Sequence, residues 1–398
     1  NASVNYTQIF FKWPQIEDAT SYTLTLDPDS GDSIIINSTT NSIINNENLN
    51  WDMQYTWEIC GNNEANEMIY CYEQKSLIIN PLPLYYPNQL DVLLLSEDDY
   101  YNGVTILDFD SIRFSAALDK YGNPIWFADR NLFGNFNRKI LVTQLLNSGN
   151  FIGIGFGSGY EFDINGNIIF ETPIEYPIHH DFIKKDSTYF LINAVNELNP
   201  CPENCPDNLP EDIFWQGDRF IQLDLNGQLI WEWNTFDYIG LNEYNPLYLD
   251  RFSNSYPEEE SMDWTHANSI FYDEENIFVS IRNLSRIVKI DYNSKDIIWH
   301  IGNTEFMNET YFDNHIEFSQ QHSIKKLNNE NILFFDNHTG LEPEISRCIE
   351  FEYDEESQTT DVVWEYILPD SLFTGSRGEC DRLDNGNTLI NVGRTGNI

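Results

Sequence analysis

Apolar and polar residues alternate in short runs along the first part of the chain, and long helical patterns are scarce. The alternation is clearest at residues 21–26 and 55–59, and a turn-rich stretch at residues 27–31 lies between such runs. A period of two is typical of β-strands that bury one face. The pattern predicts a small β-sandwich at residues 1–82, with a linker at residues 80–83.

The rest of the chain repeats two phrases. The first is a polar turn followed by a strand that ends in an aromatic residue, and it occurs at residues 121–126, 165–170, 226–231, 293–299 and 360–364. The second is a polar turn followed by an apolar strand, and it occurs at residues 147–152, 186–191, 273–278, 328–333 and 384–389. Asn-Gly between apolar runs is a strong local signal for a β-hairpin, and it occurs at residues 165–166, 226–227 and 385–386.

Five copies of each phrase, about 40 to 80 residues apart, are typical of four-stranded sheets repeated around an axis. A weaker unit at residues 90–109 adds a sixth copy. The sequence therefore predicts an all-β fold, in which a six-bladed β-propeller at residues 84–398 follows the small sandwich. Because the chain ends soon after the last second phrase, the last blade is predicted to be incomplete. Either another segment closes it or the chain is a fragment.

The net charge of the chain limits which macromolecules it can bind. The 398-residue chain has a formal net charge of -43, and its acidic residues are spread along it rather than gathered in a tail. A surface of this kind repels nucleic acid and anionic lipid. No apolar stretch approaches the roughly 18 residues of a membrane span. We therefore expect no nucleic-acid partner and no membrane span.

The cysteines indicate an oxidising compartment, because an even number with paired spacing is typical of disulfide-bonded secreted proteins. We expect a secreted protein, extracellular or periplasmic, whose signal peptide has been removed. For Cys201 and Cys205, which are four residues apart, a zinc site is the alternative to a disulfide. No second pair of ligands lies near them in the sequence, so no metal is expected. Sequence leaves the connectivity open, and local pairing predicts the disulfides Cys60–Cys71, Cys201–Cys205 and Cys348–Cys380.

Sequons of the form Asn-X-Ser/Thr permit glycosylation. Asn, Ser and Thr are so abundant that several sequons arise by chance, and their presence does not argue for a glycan. They begin at Asn1, Asn5, Asn37, Asn283, Asn308 and Asn337.

Histidines recur at equivalent places in the repeat. Three histidine-bearing segments precede strands of the second phrase, at residues 178–182, 264–270 and 320–324. The innermost strand of each propeller blade lines the central channel, so equivalent positions point to one place. We expect His179 or His180 to converge there with His266 and His322. Arg282 ends the strand that follows His266, and its guanidinium fork suits a tetrahedral oxyanion.

A histidine at a strand start is more often structural than catalytic. Three such positions in register, together with an arginine, favour a site, because an acidic protein needs local cations to hold an anion. His300, His315 and His338 lie outside the pattern and are interpreted as structural or surface residues. The sequence contains no His-x-x-x-His spacing and no Gly-Lys-Ser/Thr phosphate loop, so no metal and no nucleotide cofactor are expected.

Two known families resemble parts of the chain. Residues 13–24 and 55–57 resemble strands of fibronectin type III domains, which are immunoglobulin-like sandwiches. From about residue 84 to the end, the chain resembles the bacterial arylsulfotransferases, which use aryl sulfates as donors in place of a nucleotide sulfate. The matching segments are residues 263–270, 280–282, 321–323, 335–337, 346–347 and 381–387.

The arylsulfotransferase resemblance implies a six-bladed propeller and a ping-pong transfer of a sulfuryl group from a phenolic sulfate ester to a phenolic acceptor. It implies that His322 is the nucleophile that becomes transiently sulfated, and that His266 and Arg282 bind the sulfuryl group. An upstream histidine completes the site, and counting back from the strand favours His179 over the adjacent His180. For Asn268 and Arg347 the match implies substrate binding. It implies small aromatic partners, a sulfate ester and a phenol, and no cofactor.

The chain also departs from the family. A fibronectin-like module stands in place of the usual amino-terminal sandwich, and the last blade is short. These departures leave an alternative function, a non-catalytic secreted surface or filament-forming protein on the same scaffold, in which homo-oligomer assembly completes the blade. Binding of carbohydrate or sulfated glycan at the channel mouth is a third interpretation.

Overall fold

A computed structural model of the protein describes residues 2–45, 49–87, 92, 96, 100–109, 114–128, 140–155, 157–201, 211–248, 252–253 and 261–398. The fold is all-β, with about 52% strand and 4% helix, as the alternating pattern predicts. Contacts divide the chain into a first unit, residues 1–142, 147–151 and 162–169, and a second unit, residues 143–146, 152–161 and 170–398. The predicted domain boundary at residue 82 stays a prediction.

The amino-terminal strands of the first unit form two sheets. In order they are β1 Ala2–Val4, β2 Ile9–Lys12, β3 Ser21–Pro28, β4 Ile34–Ser38, β5 Ser42–Asn45, β6 Met53–Asn62, β7 Met68–Cys71 and β8 Lys75–Ile79. The larger sheet has the order β1-β8-β6-β3-β4, with β7 paired to β6, and the smaller sheet pairs β2 with β5.

One core joins these two sheets. Strand β3 shows why the alternation forms a strand, because Tyr22, Leu24 and Leu26 are buried while the residues between them are not. From the smaller sheet, Phe11 packs edge-on against Trp57, with 5.1 Å between ring centroids. The assignment of this module to the fibronectin type III class stays a prediction.

Further sheets follow along the chain. The first is three-stranded, with β9 Thr105–Phe109, β10 Phe114–Leu118 and β11 Pro124–Phe127. The next is four-stranded, with β12 Leu141–Leu145, β13 Phe151–Gly155, β14 Ser158–Phe162 and β15 Ile168–Glu171. The third is six-stranded, with β16 Ile178–Lys185, β17 Thr188–Pro200, β18 Asp212–Asp224, β19 Leu229–Asn234, β20 Phe252–Ser253 and β21 Ser261–Asp263.

Two more four-stranded sheets and a hairpin complete the described chain. One sheet contains β22 Ala267–Tyr272, β23 Asn276–Ile281, β24 Arg286–Asp291 and β25 Ile297–Gly302. The other contains β26 His322–Lys326, β27 Ile332–Asp336, β28 Arg347–Asp354 and β29 Thr359–Ile367. The hairpin pairs β30 Glu379–Arg382 with β31 Thr388–Asn391. The short helical segments are α1 Thr235–Tyr238 and the 3-10 turns Pro246–Tyr248, Thr304–Phe306 and Asp370–Leu372.

The first phrase of the repeat forms hairpin turns with a common local arrangement. Between β14 and β15, the Asp163 carboxylate accepts hydrogen bonds from the backbone N–H groups of Asn165 and Asn167. Gly166 takes the left-handed φ of 80° that closes the turn. Asp119 accepts equivalent bonds before β11. These turns depend on local side chains and on a glycine, which is why the sequence predicts them.

The aromatic residue that ends each first phrase packs against the sheet that follows it. Because the same contact recurs, the phrase encodes both a strand and the packing of one sheet on the next. The five contacts are Trp126 with Phe151, Phe170 with Tyr189, Trp231 with Tyr292, Trp299 with Tyr353, and Trp364 with the guanidinium of Arg382.

Two of the three predicted disulfides, Cys60–Cys71 and Cys348–Cys380, are present. Cys205, and with it the third predicted pair, lies outside the described residues. The described part of the chain contains one cluster of potential metal ligands, Glu58 with Cys60 and Cys71. Both of its sulfur atoms are used by the disulfide, so this cluster offers no thiolate to a metal.

Burial separates the sequons. Asn5, Asn283 and Asn337 are buried, whereas Asn37 and Asn308 are exposed, so of these five the latter two have room for a glycan in the folded protein. Asn1 lies outside the described residues. None of the helices in the described residues has the length and apolarity needed to cross a membrane. The number of blades and the closure of the last one stay predictions.

Replacing both Cys348 and Cys380 with alanine should lower the free energy of unfolding. Because the bond spans 32 residues, its loss restores about 3–4 kcal/mol of loop entropy to the unfolded chain. The double alanine variant of Cys60 and Cys71, which span 11 residues, should lose about 2–3 kcal/mol. Denaturant titration measures both losses, and the reverse ranking would contradict this origin of the stabilisation.

Candidate functional site

The three predicted histidine segments each begin the first strand of a sheet, and each lies at an irregularity in the strand pairing. The register of β16 with β17 shifts between Ile178 and Phe182, and that of β22 with β23 shifts just after Ala267. In β26 the shift begins at His322 itself. Bulges of this kind re-aim side chains and are common beside active sites.

Positive φ angles occur beside these strand starts. His180, His266, Gln320 and Arg377 have φ of 59°, 48°, 55° and 64°. Eleven other non-glycine residues of the described chain also have positive φ. The angles therefore support a site here only together with the bulges and the clustered side chains.

His322 is held in one tautomer. Its Nδ1 lies 2.6 Å from Asn337 Oδ1 and 3.0 Å from the Gln320 carbonyl oxygen, which are both acceptors, so Nδ1 carries the proton. Its Nε2 accepts a hydrogen bond of 3.1 Å from the Arg377 backbone N–H. Asn337 also donates to the carbonyl oxygens of Thr374 and Arg377. Asn337 therefore orients both the imidazole and the loop that covers its Nε2.

The environment keeps the His322 imidazole neutral. Burial and the nearby Arg282 charge lower its pKa from 6.5 to about 3, and they outweigh the hydrogen bond to Asn337, which raises it. The side chain is only 8% exposed. A neutral imidazole with Nδ1 protonated presents the Nε2 lone pair, which is the form needed of a nucleophile.

His266 is paired with a carboxylate. Its Nδ1 lies 2.5 Å from Asp263 Oδ2. Burial acts to raise the pKa of Asp263, but the hydrogen bond from His266 and the nearby charges of His179 and Arg282 hold it below its usual 3.8. Asn283 donates from its side chain to the Asp263 carbonyl oxygen. The ionised Asp263 thus keeps a proton on Nδ1 and leaves Nε2 for a ligand.

His179 and His180 contact each other through their Nδ1 atoms, which are 2.7 Å apart. His179 Nε2 lies 2.8 Å from Asp218 Oδ1. The ring of His180 lies edge-on to the ring of His266, with 4.6 Å between centroids. His180 therefore faces the other site histidines, and His179 lies between His180 and a buried carboxylate.

Arg282 is a cation without an anionic partner among the described residues. Its Nη1 donates to the Tyr248 hydroxyl and to Asn283 Oδ1, and its Nη2 donates to Gln320 Oε1. All three acceptors are neutral, so these bonds orient the guanidinium without a direct salt bridge among the described residues, although its charge also acts on the nearby Asp263 carboxylate. That arrangement suits an anionic ligand.

The other site residues lower the pKa of His180. The pKa of His180 lies well below 6.5, first because of burial and then because of His266, His179, His322 and Arg282. His180 is nevertheless exposed to solvent, so the ring lines an open recess that protein surrounds on most sides. The structure thus brings His180, His266, Arg282 and His322 into one neighbourhood.

The two residues expected to bind substrate lie in different settings. Asn268 donates from Nδ2 to the Gln321 carbonyl oxygen, and its buried Oδ1 has no hydrogen-bond partner. Arg347 is paired with Asp336 and Glu365, so acidic groups already compensate its charge. The structure therefore leaves a polar atom available at Asn268 and gives Arg347 a structural setting.

Sequence reasoning missed the residues that orient the histidines. Asp263 stands three residues before His266, and Asn337 lies inside a segment matched to the family, so both carried a local signal. Asp218 and Gln320 carried none of their own, because Asp218 reaches the site from β18 and Gln320 acts by contacting Arg282 from another sheet.

The fold and the site define an all-β protein with a histidine and arginine cluster suited to an oxyanion. A family model described as arylsulfotransferase (ASST) matches residues 65–398. The chain belongs to the arylsulfotransferase family. A comparison with curated protein sequences finds no significant match.

Solved structures resemble the chain only weakly. A protein of unknown function from Bacteroides caccae has 14% identity and a TM-score of 0.40, over 80% of this chain and 92% of that one. The WD40 domain of Pan2 from Neurospora crassa has 10% identity and a TM-score of 0.34, over 67% and 63%. A putative 6-phosphogluconolactonase from Bacteroides uniformis has 8% identity and a TM-score of 0.35, over 88% and 100%. None of these similarities is strong enough to support a conclusion.

The depressed pKa of His322 predicts how stability depends on pH. The unfolded chain takes up a proton on this residue below about pH 6.5, whereas the folded protein does so only near pH 3. Unfolding therefore takes up a proton between these values, and this contribution to stability is lost as pH falls. His322→Gln removes it, so the stability of the variant should fall less steeply, by up to about 1.4 kcal/mol per pH unit.

Denaturant unfolding between about pH 6 and pH 4 measures this difference in slope. The control is His315→Asn, which removes an exposed histidine outside the site. Parallel curves for wild type and His322→Gln would show that His322 is protonated in the folded protein and contradict the neutral form.

Proposed function

We propose that the protein transfers a sulfuryl group from a phenolic sulfate ester to a phenolic acceptor, through a sulfohistidine at His322. The observation that carries the proposal is the tautomer of His322, with Nδ1–H held by Asn337 and the Nε2 lone pair beside the uncompensated Arg282. Family membership supports the same chemistry. A neutral nucleophile next to a fixed cation is what an anionic electrophile requires.

In the first half-reaction, the His322 Nε2 lone pair attacks sulfur. The N–S bond forms as the bond from sulfur to the phenolic oxygen breaks, and the electron pair of that bond leaves with the phenolate. Arg282 and the imidazoles of His180 and His266 offset charge on the sulfuryl oxygens and on the leaving group. One imidazole gives a proton to the phenolate, which departs as a phenol.

In the second half-reaction, the acceptor phenol loses its proton to an imidazole while its oxygen attacks sulfur. The N–S bond breaks, and its electron pair returns to His322 Nε2. Splitting the transfer into two steps means that donor and acceptor never occupy the site together.

The Arg377 backbone N–H has a defined place in this scheme. It donates to Nε2 in the substrate-free protein, and sulfation of Nε2 replaces that hydrogen bond. The amide then lies within reach of a sulfuryl oxygen and becomes a further donor to the developing charge. The left-handed φ of 64° at Arg377 aims the amide at this point.

The wider organisation belongs to the same proposal. We assign residues 1–82 to a fibronectin type III-like sandwich and residues 84–398 to a six-bladed propeller. We place the protein outside the cytoplasm, in the extracellular space or the periplasm, where its disulfides are stable. At the site we assign substrate binding to Asn268, whose Nδ2 donates to the Gln321 carbonyl oxygen next to His322, and a supporting role to Arg347.

Replacing His322 with alanine should abolish transfer from 4-nitrophenyl sulfate to a phenol, because the proposed nucleophile is removed. Wild-type protein mixed with donor alone should release one equivalent of nitrophenol in a burst, and mass spectrometry should find the sulfuryl group on His322. His300→Asn should keep full activity. A folded His322→Ala variant that still transfers sulfate would refute the assignment.

Replacing Arg282 with glutamine should lower kcat/KM for the donor by at least about 100-fold, because a fixed donor to a developing oxyanion is removed. Arg282→Lys should recover part of the loss, since the charge returns but the fork does not. The matched control is Arg382→Gln, whose guanidinium bonds Glu350 and the Gly386 carbonyl oxygen. Equal effects at the two positions would show that Arg282 has only a structural role.

A further inference from the structure

The carboxylate of Asp218 is buried at the back of the site, with 1% of the residue exposed. Its Oδ2 accepts hydrogen bonds from the Thr265 hydroxyl and the Ala267 backbone N–H, both at 2.6 Å. Its Oδ1 lies 2.8 Å from His179 Nε2, which is close enough for an ion pair although the two atoms are not aligned as a hydrogen bond. Two lone pairs at that distance repel, so Nε2 of His179 carries a proton.

The proton on His179 Nε2 determines what the next ring can do. When His179 is neutral, its Nδ1 has a lone pair, and the 2.7 Å contact with His180 Nδ1 requires that His180 Nδ1 donate. His180 Nε2 is then a lone pair, which is a base. When the two histidines hold one more proton, that added proton lies on His180 Nε2. The proton shared between the two Nδ1 atoms then moves to His179 Nδ1. His180 is then an acid, and the positive charge lies on His179 beside Asp218.

We propose that Asp218, His179 and His180 form a proton relay, in which His180 Nε2 exchanges a proton with the phenolic oxygens and His179, held by Asp218, carries the charge. This inference rests on the proposed function, because the relay acts on the leaving and attacking phenols. His180 is the catalytic residue of the three, and His179 and Asp218 are positioning residues that act through it.

The relay explains how His180 can hold a proton in this site. His180 alone resists protonation, since burial and the neighbouring His266, His322 and Arg282 all lower its pKa. A single imidazole in that position would hold no proton for a leaving phenolate near neutral pH. Moving the shared proton to His179 places the charge next to a buried carboxylate, so His180 Nε2 can carry a hydrogen.

The proton is conserved over one catalytic cycle. In the first half-reaction, His180 Nε2 gives its proton to the departing phenolate, and the shared proton returns from His179 Nδ1 to His180 Nδ1. In the second, the acceptor phenol gives its proton to His180 Nε2 as its oxygen attacks sulfur, and the shared proton moves back. No proton from solvent is required between the two steps.

The competing arrangement is the pair of His266 and Asp263, which are 2.5 Å apart. That pair could also hold a proton for the leaving group. It differs in having one imidazole in direct contact with its carboxylate, whereas the relay has two imidazoles in series. Removing the two carboxylates separately therefore distinguishes the two arrangements.

The kinetic test uses leaving groups of different acidity. We would measure kcat/KM for 4-nitrophenyl sulfate and phenyl sulfate in wild type, Asp218→Asn and His179→Gln. Phenolate needs a proton to leave, whereas nitrophenolate does not. Both variants should therefore lose at least about tenfold more activity with phenyl sulfate than with 4-nitrophenyl sulfate. His179→Gln guards against misfolding of Asp218→Asn, because His179 is 23% exposed whereas Asp218 is buried.

The controls are Asp263→Asn and His300→Asn, which should show no such dependence on the leaving group. Equal losses with both donors in Asp218→Asn and His179→Gln would overturn the relay and leave sulfuryl transfer standing. A leaving-group dependence that appears only in Asp263→Asn would overturn it in favour of His266.

A second readout does not depend on activity. Long-range proton–nitrogen NMR of histidine-labelled protein should find His179 protonated at Nε2 and should find that Asp218→Asn weakens this preference. A His179 with a bare Nε2 in the wild type overturns the relay whatever the activity. The expected tautomer in a wild-type protein that transfers no sulfate refutes the proposed function, and the catalytic role of the relay with it.

Discussion

The packing of an aromatic side chain from one sheet onto the next is the contact on which the rest of the structure depends. It recurs from Trp126 through Phe170 and Trp231 to Trp299. Each contact buries a large apolar ring and sets one sheet beside its neighbour. Because the contacts are equivalent, the first strands of neighbouring sheets begin at equivalent places. The histidines at those strand starts are neighbours for that reason.

Within the site, each histidine is controlled through one ring nitrogen. His322 is held by Asn337, His266 by Asp263, and His180 by His179. Fixing one nitrogen determines the tautomer and leaves the other nitrogen directed at the ligand. The bulges and positive φ values orient the imidazole rings, and the buried acceptors determine which ring nitrogen is protonated. Reactivity therefore arises from second partners as much as from the imidazoles themselves.

The negative net charge of the chain explains why the site needs a fixed cation. The chain as a whole has a net charge of -43, so an anionic substrate is repelled by most of the surface. Arg282 is bonded only to neutral groups, and its charge remains available to a ligand. Burial and the same charge lower the pKa of His322 and keep its imidazole neutral. In the proposed function, Arg282 would therefore act on both the anionic substrate and the nucleophile.

Local chemistry determined what the sequence alone could predict: the strands, the Asp- and Gly-dependent turns, two local disulfides and the set of histidines with Arg282. These features depend on neighbours in the chain, and residue periodicity records them. The choice between His179 and His180 depended on tertiary structure, because the bulge between Ile178 and Phe182 defeats counting by alternation. The partner Asp218 did as well, since it reaches the site from β18. Side chains that meet only through sheet packing leave no spacing in the sequence, and only the folded chain decides which of them touch.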